Sequence, residues 1–378
     1  MFNVEDFEKI RPYHDYEINM AMDRITKDPF FDKIASYVFP EKNLEEVKSI
    51  FLSINSADEF QLKFSHLAVR RVVELSSDGL TFEGFDKLDP LKPYLFIANH
   101  RDIVLDSAIL QVLLVEHNIR TSEITFGSNL MNSPFIIDIG KVNKMFTVFR
   151  GGNRIELLNN SKLLSSYIRY AITEKHNSVW IAHRNGRTKD GNDKTEEALL
   201  KMLNLSGKQD IKNNFSELNI IPLTISYEYE PCGTLKVNEL YQSLISEYKK
   251  AQGEDFNSIV KGFTQPKGRI HLCAGKLITT EFLNIDENKS YKENISIITK
   301  NIDNQIYKDY RLWKTNYIAY DVLANNTSSN EHYSIEDKEK FLLFVINEIN
   351  KLEGDKLVLK EMYLKMYANP VMNFMKCT

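Results

Sequence analysis

Hydrophobic residues recur at every third or fourth position through residues 1–78, a spacing typical of amphipathic helices. Segments such as DFEKIRPYHDYEINMAMDRI and ADEFQLKFSHLAVRRVVEL show this period, and Asp28-Pro29 and Pro40-Glu41 interrupt it. We therefore predict a helical hairpin or bundle that precedes the main domain.

The pattern changes at about residue 79. Short apolar runs rich in β-branched and aromatic residues follow one another, and most are bounded by Gly, Pro or Asn: LTFEGF, YLFIAN, ITFGS, MFTVF, SVWIA, IIPLTISYEY and RIHLCAG. Helical segments separate several of them, which predicts an α/β domain over residues 79–280 with helices on the faces of a central sheet. A mostly helical insertion is predicted at 230–265, and a helical C-terminal extension at 281–378.

The longest apolar run begins at Ile103, but Asp106 and Gln111 interrupt it, so we interpret it as a buried helix rather than a membrane span. The first residues, MFNVEDFEKIRPYHD, lack the apolar stretch of a signal peptide. The three cysteines, at positions 232, 273 and 377, fit a reducing compartment. These features predict a cytoplasmic protein that does not cross a membrane.

Charge narrows the function further. A formal net charge of -4 argues against a nucleic-acid binder. Residues 141–189 nevertheless contain ten Lys or Arg and two acidic residues, a balance typical of an anion site or of a surface that faces acidic lipid.

The segment FIANHRDIVLDSAIL carries the most specific chemical signal. An apolar strand ends just before His100, and a helix is predicted to begin near Leu105. A histidine in such a loop can remove a proton from an attacking hydroxyl, and a carboxylate on its other ring nitrogen would fix its tautomer. Asp102 and Asp106 are both candidates for that carboxylate. We favour Asp106 for this role and helix capping for Asp102.

Two further segments place arginines directly after strands. KMFTVFRGGN puts Arg150 next to Gly151, and VWIAHRNGRTKDGND puts Arg184 and Arg187 on either side of Gly186. Arginine suits bidentate recognition of phosphate, and glycine lets the backbone approach a ligand closely.

Together with the strand IIPLTISYEYEP, these segments resemble, in order and approximate spacing, the four sequence blocks of the phospholipid/glycerol acyltransferase family. That family includes the glycerol-3-phosphate and lysophosphatidic acid acyltransferases. The resemblance covers roughly residues 79–280, and NHRDIVLDS, RTKDGND and EYEPC are similar to a Bacteroidetes-type branch. The helical N-terminal region is similar in plan to the soluble glycerol-3-phosphate acyltransferases of plastids.

The resemblance implies a central mixed sheet and assigns roles by position. His100 would be the general base and Asp106 its orienting partner. The substrate-binding residues would be Arg101, Arg150, Gly151, Arg184, Asn185, Gly186, Arg187 and Pro222. The implied reaction moves a fatty acyl group from acyl-CoA or acyl carrier protein to the hydroxyl of a glycerol-phosphate or lysophospholipid acceptor in membrane lipid biosynthesis. It uses no metal and no cofactor beyond the thioester, and it implies contact with a membrane surface.

Two departures from the family pattern leave alternatives open. Asn185 stands where the family has Glu, and the spacing between His100 and Asp106 is one residue longer than usual. A catalytically weakened relative that binds lipid or acyl groups is one alternative, and an N-acyltransferase of amino-acid lipids is another. The C-terminal segment 356–376 is a candidate membrane contact, with a core-packing helix as the competing interpretation.

Overall fold

The predicted strands assemble into one central sheet in the computed structural model, which describes residues 4–251, 253–283, 285–286 and 288–377. The predicted helical regions and the insertion also include residues 1–3, 252, 284, 287 and 378, which lie outside the described part. The strands are β1 (Gly79–Glu83), β2 (Leu95–Ala98), β3 (Glu123–Gly127), β4 (Met145–Val148), β5 (Val179–Ala182), β6 (Ile220–Tyr227) and β7 (Arg269–Ala274).

The strand order is β1-β7-β6-β2-β5-β3-β4. Strands β6, β2, β5, β3 and β4 are parallel to one another, while β7 runs antiparallel to β6 and β1 pairs with β7. The prediction of an α/β fold with a central mixed sheet is therefore confirmed. Because the five parallel strands end at the same edge, the loops that follow them come together there.

Pro222 lies in β6, between two neighbouring strands, where proline is uncommon because it cannot donate a backbone hydrogen bond. It pairs with Ile97 of β2, and its carbonyl accepts a hydrogen bond from the Gly275 amide. The antiparallel ladder with β7 begins only at Leu223. The missing N–H of Pro222 therefore falls where β7 no longer pairs.

The N-terminal region is helical, as predicted. A 3₁₀ helix at Val4–Lys9 is followed by α1 (Asp15–Lys27), α2 (Pro29–Val38), α3 (Leu44–Leu52), α4 (Ala57–Phe60), a π-helical turn (Gln61–Ser65) and α5 (His66–Ser76). Phe31, Phe51, Phe60 and Phe64 form edge-on and tilted ring contacts in a core of their own. The buried carboxylate of Asp138, in the main domain, accepts hydrogen bonds from Arg24 and ties α1 to the sheet domain.

Helices cover both faces of the sheet. They are α6 (Leu105–Glu116), α7 (Pro134–Val142), α8 (Arg154–Thr173), α9 (Glu197–Asn204), α10 (Ile211–Ser216), α11 (Gly233–Ile245), α12 (Glu254–Thr264) and α13 (Thr280–Leu283). Every residue of α6 from Leu105 to Leu114 is buried, so the interpretation of this apolar run as a buried helix is confirmed. Within the described residues, no helix is both long enough and apolar enough to cross a membrane.

The C-terminal helices are α14 (Tyr291–Lys308), α15 (Lys314–Ala324), α16 (Ile335–Asn350) and α17 (Lys356–Met375). Helix α17 contains most of segment 356–376, the candidate membrane contact. Its Leu359, Tyr363, Met366 and Tyr367 are buried in a core shared with α11, α15 and α16. Because those apolar side chains are already covered, this face of the helix packs the protein interior.

Candidate active site

A cleft opens where the parallel strands end. It has a volume of about 920 Å³, and six of the predicted site residues line it: His100, Arg150, Arg184, Asn185, Gly186 and Arg187. His100 follows β2, Arg150 follows β4, and the other four follow β5. The alternation of strands and helices thus brings together residues from three separate segments.

Apolar side chains line the cleft beside these polar groups. Leu157 and Leu164 come from α8, Leu199 and Met202 from α9, and Leu240 from the insertion helix α11. A cleft of several hundred cubic ångströms with an apolar lining and a few polar groups is typical of a small-molecule site. The arrangement suits a ligand with an anionic part and an apolar part.

His100 and Asp106 form a hydrogen-bonded pair. The distance between His100 Nδ1 and Asp106 Oδ2 is 2.9 Å. The same carboxylate oxygen accepts hydrogen bonds from the backbone amides of Arg101 at 2.6 Å and Asp102 at 2.9 Å. The other oxygen, Oδ1, accepts one from the Tyr227 hydroxyl at 2.8 Å. Asp106 is 1% exposed, so water does not compete for these bonds.

The longer His–Asp spacing is absorbed by the loop between β2 and α6. Residues 101–104 are not helical, and α6 begins at Leu105, which places Asp106 in its first turn. The loop curls around the carboxylate, so that two successive amides point at it. The contact between ring and carboxylate is therefore made despite the additional residue.

Asp102 has the other role considered for it. Its Oδ1 accepts hydrogen bonds from the amides of Val104 and Leu105 at 3.0 and 2.9 Å, which caps the start of α6. Burial raises the pKa of Asp102, and the nearby charge of Asp106 raises it further. Asp102 therefore caps helix α6, and Asp106 orients the His100 imidazole.

The His100 ring lies at the cleft with its second nitrogen free. Its side chain is 13% exposed, and the edge of the Trp180 ring packs against it with centroids 5.5 Å apart. Among the described residues, none forms a hydrogen bond to Nε2. A neutral imidazole that donates from Nδ1 to Asp106 would present Nε2 to the cleft as a proton acceptor.

Arg150 and Asn185 contact each other across the cleft. The Arg150 guanidinium donates to Asn185 Oδ1, and its backbone amide donates to the Ser128 hydroxyl at 3.0 Å. Burial lowers the pKa of Arg150, and the charge of Glu196 partly offsets this effect. Asn185 therefore orients the guanidinium without adding a negative charge of its own.

Arg184 and Arg187 carry unused donors. Arg184 Nε and Arg187 Nη1 are buried nitrogens without a hydrogen-bond partner in the described part of the chain. Buried donors of this kind are costly unless something satisfies them. Because both side chains line the cleft, an anionic oxygen bound there would supply the missing acceptors.

Arg101 was predicted to contact substrate, and the structure places it elsewhere. It is 5% exposed, and its guanidinium forms ion pairs with Asp193 at 2.6 Å and Glu230 at 3.0 Å. Burial opposes the charge on Asp193, but Arg101 and His183, together with hydrogen bonds from Thr188 and Asn99, outweigh this effect and lower the pKa of Asp193 to about 2. Since Asp193 and Glu230 neutralise the charge of Arg101 within the protein, Arg101 is a structural support of the site. It does not line the cleft.

Gly151 and Pro222 are also outside the cleft lining. Gly151 has φ of +78°, and a Cβ added there would meet nothing within 4 Å. Its positive φ permits the turn after β4. Pro222 is buried in β6, where its effect on the cleft can only be indirect.

His183 directly follows β5, and its side chain is fully buried. Burial lowers the pKa of His183 to about 4, which keeps it neutral. Sequence reasoning gave no role to Trp180, Tyr227, Asp193 or Glu230. Each reaches the site through pairing of distant segments, and no local motif marks them.

Among the described residues, no group of three His, Cys, Asp or Glu side chains is arranged to hold a metal ion.

Comparison with known proteins gives little further guidance. No protein-family model matches the sequence, and no curated protein matches it. Among solved structures, the chain is similar to the 1-acyl-sn-glycerophosphate (LPA) acyltransferase PlsC from Thermotoga maritima, with 12% identity and a TM-score of 0.34. The match covers 76% of this chain and 93% of that chain. A likeness of this extent carries no argument about activity.

Proposed function

We propose that this protein is an acyltransferase that moves a fatty acyl group from a thioester to the hydroxyl of a glycerol-phosphate or lysophospholipid-type acceptor. The observation that supports it most is the His100–Asp106 pair, which opens onto a cleft lined by arginines and apolar side chains. A base, an anion site and an apolar wall are the three parts that such a transfer requires.

His100 would act as the general base. Its Nε2 would remove the proton from the acceptor hydroxyl while that oxygen attacks the thioester carbonyl. The tetrahedral intermediate would then collapse, the carbon–sulfur bond would break, and the departing thiolate would take the proton back from the imidazolium. Asp106 would hold the ring in the correct tautomer and stabilise its positive charge.

The arginines would bind the phosphate of the acceptor. Arg187 and Arg184 offer buried donors that lack acceptors, and Arg150 is oriented by Asn185. Charge-assisted hydrogen bonds from guanidinium to phosphate are among the strongest available to a protein. The leucines and Met202 would lie along the acyl chain, which gains from leaving water.

The donor would be acyl-CoA or acyl carrier protein. An acceptor and a product that are lipids imply that the protein works in the cytoplasm at a membrane surface, in membrane lipid biosynthesis. No metal or further cofactor enters this scheme.

The test is an acyl-transfer screen, in which a labelled thioester is offered with glycerol-3-phosphate, lysophospholipids and related acceptors, and the products are read by mass spectrometry. We expect transfer to a phosphate-bearing hydroxyl acceptor, and a loss of about 10²- to 10⁴-fold in kcat for His100→Ala. His332→Ala, which removes an exposed histidine outside the cleft, should leave the rate unchanged. Full turnover by His100→Ala would refute the assignment of the base.

The same screen addresses two other functions. An amine acceptor would be attacked through the same His–Asp pair, so acylated amines among the products would identify an N-acyltransferase. Asn185 favours a second alternative, a weakened relative that binds lipid or acyl groups, because the negative charge typical of its position is missing. Binding of thioester or lysolipid without any transfer would support that alternative.

A further inference from the structure

The two oxygens of Asp106 have different partners. Oδ2 accepts from the His100 ring and from two backbone amides, and Oδ1 accepts from the Tyr227 hydroxyl at 2.8 Å. Among the described residues, the hydroxyl of Tyr227 is the group that donates a hydrogen bond to Oδ1. The charge of this buried carboxylate is therefore shared between the imidazole, the loop and a tyrosine from another strand.

Tyr227 is well placed to hold this position. It is the last residue of β6, which pairs with β2, and its ring is buried in the core cluster beneath α6. Burial raises the pKa of Tyr227 well above its ordinary value, and the charge of Asp106 raises it further. The hydroxyl therefore remains protonated and acts as a donor.

We propose that Tyr227 is a positioning residue that moderates, through Asp106, how tightly the His100 imidazole holds its proton. A hydrogen bond donated to a carboxylate stabilises its negative charge and weakens its pull on other donors. Without the hydroxyl, Asp106 would draw the Nδ1 proton more strongly. The imidazole would then return its proton less readily to the departing thiolate.

The chain provides a matched control. Tyr167 also donates its hydroxyl to a buried carboxylate, Glu123, at 2.6 Å, and it is 1% exposed. Neither residue lines the cleft as the structure describes it. Tyr227→Phe and Tyr167→Phe thus remove the same group from the same kind of bond, and they differ in whether His100 is on the other side of the carboxylate.

The experiment compares the imidazole Nδ1–H proton resonance of His100 in both variants and in the wild type, using protein labelled with ¹⁵N-histidine. His100→Ala identifies the resonance. We expect Tyr227→Phe to move it downfield and Tyr167→Phe to leave it in place. In the transfer assay, Tyr227→Phe should lower kcat about tenfold, the equivalent of one lost hydrogen bond to a carboxylate, with KM for the acceptor within about twofold.

The inference rests on the proposed function for its kinetic part, but the resonance does not depend on turnover. If the wild type transfers no acyl group, the proposed function fails while the resonance still decides the role of Tyr227. An unchanged resonance in Tyr227→Phe would overturn the inference, and so would an equal shift in Tyr167→Phe, since the effect would then be a general one of losing a buried hydroxyl.

Discussion

Arg101 and Arg187 lie close to the same site in opposite electrostatic situations. Arg101 is buried with two carboxylates, Asp193 and Glu230, against its guanidinium. Arg187 lines the cleft, and one of its buried nitrogens has no partner among the described residues. No described carboxylate lies within ion-pair distance of it, although its charge acts on the buried Asp102 from further away. The sequence gives both the same appearance, an arginine shortly after a strand.

The difference shows how the protein separates support from binding. A buried charge is tolerated when its partners neutralise it, and such a charge cannot also serve a ligand. A charge that the protein leaves unneutralised destabilises the free protein slightly and becomes useful when an anion arrives. The balance of charges around each guanidinium, rather than its position in the sequence, therefore indicates which arginine binds.

The largest effect is expected from replacing Arg101, whose charge its carboxylate partners neutralise. Arg101→Met would leave the buried carboxylate of Asp193 without its cation, whereas Glu230 would keep its ion pair with Lys236. Removing one partner of a buried pair costs about 3–5 kcal/mol of unfolding free energy. Chemical denaturation of the variant and the wild type measures this loss. A loss below about 1 kcal/mol would show that the ion pairs are not a structural support.

The pH dependence of that loss provides its control. The folded protein holds the pKa of Asp193 at about 2, below its ordinary value of 3.8. A lowered carboxylate pKa contributes stability above pH 3.8, and this contribution disappears as pH falls towards 2. The difference in unfolding free energy between wild type and Arg101→Met should therefore become smaller as the pH falls from 3.8 towards about 2. The double variant Arg101→Met/Asp193→Asn should recover part of the loss at neutral pH, because the unpaired carboxylate of Asp193 is gone.

Substitution of Arg187 should weaken ligand binding and leave the stability of the fold nearly unchanged. We expect Arg187→Met to raise KM for a phosphate-bearing acceptor about 10- to 100-fold, the cost of one charged hydrogen bond or two, with little change in kcat. Its unfolding free energy should change by about 1 kcal/mol or less. Arg154→Met, which removes an exposed arginine at the start of α8, is the matched control and should leave KM unchanged. Equal effects of the two variants would mean that only the general positive charge matters.

The strands and the His–Asp pair could be predicted because their signals are local. Short apolar runs between helical segments mark the strands, and Asp106 is six residues from His100. Arg101 could not be distinguished from the cleft arginines in this way, because its partners are 92 and 129 residues further along the chain. Tyr227 is 121 residues from Asp106, so its contact follows from strand pairing that the sequence pattern does not specify.

The C-terminal segment was ambiguous for a different reason. Residues 356–376 mix Met, Tyr, Leu and Lys, and both a membrane-facing helix and a packing helix can have this composition. The decision depends on whether other apolar helices cover it, which α11, α15 and α16 do. Composition describes what a helix can bury, whereas the tertiary fold determines what it does bury.

The smallest predicted effect concerns Asn185, the uncharged hydrogen-bond partner of Arg150. Asn185→Glu would place a carboxylate against the guanidinium that Asn185 now orients. Because this pair is only partly buried, the new attraction is worth at most about 1 kcal/mol. We expect KM for the phosphate-bearing acceptor to rise about threefold with kcat unchanged, since the carboxylate competes with the phosphate. Asn185→Gln, of the same length as Glu but uncharged, should change KM less. A large gain in kcat for Asn185→Glu would instead mean that Asn185 limits turnover, and the weakened relative would then be the better description.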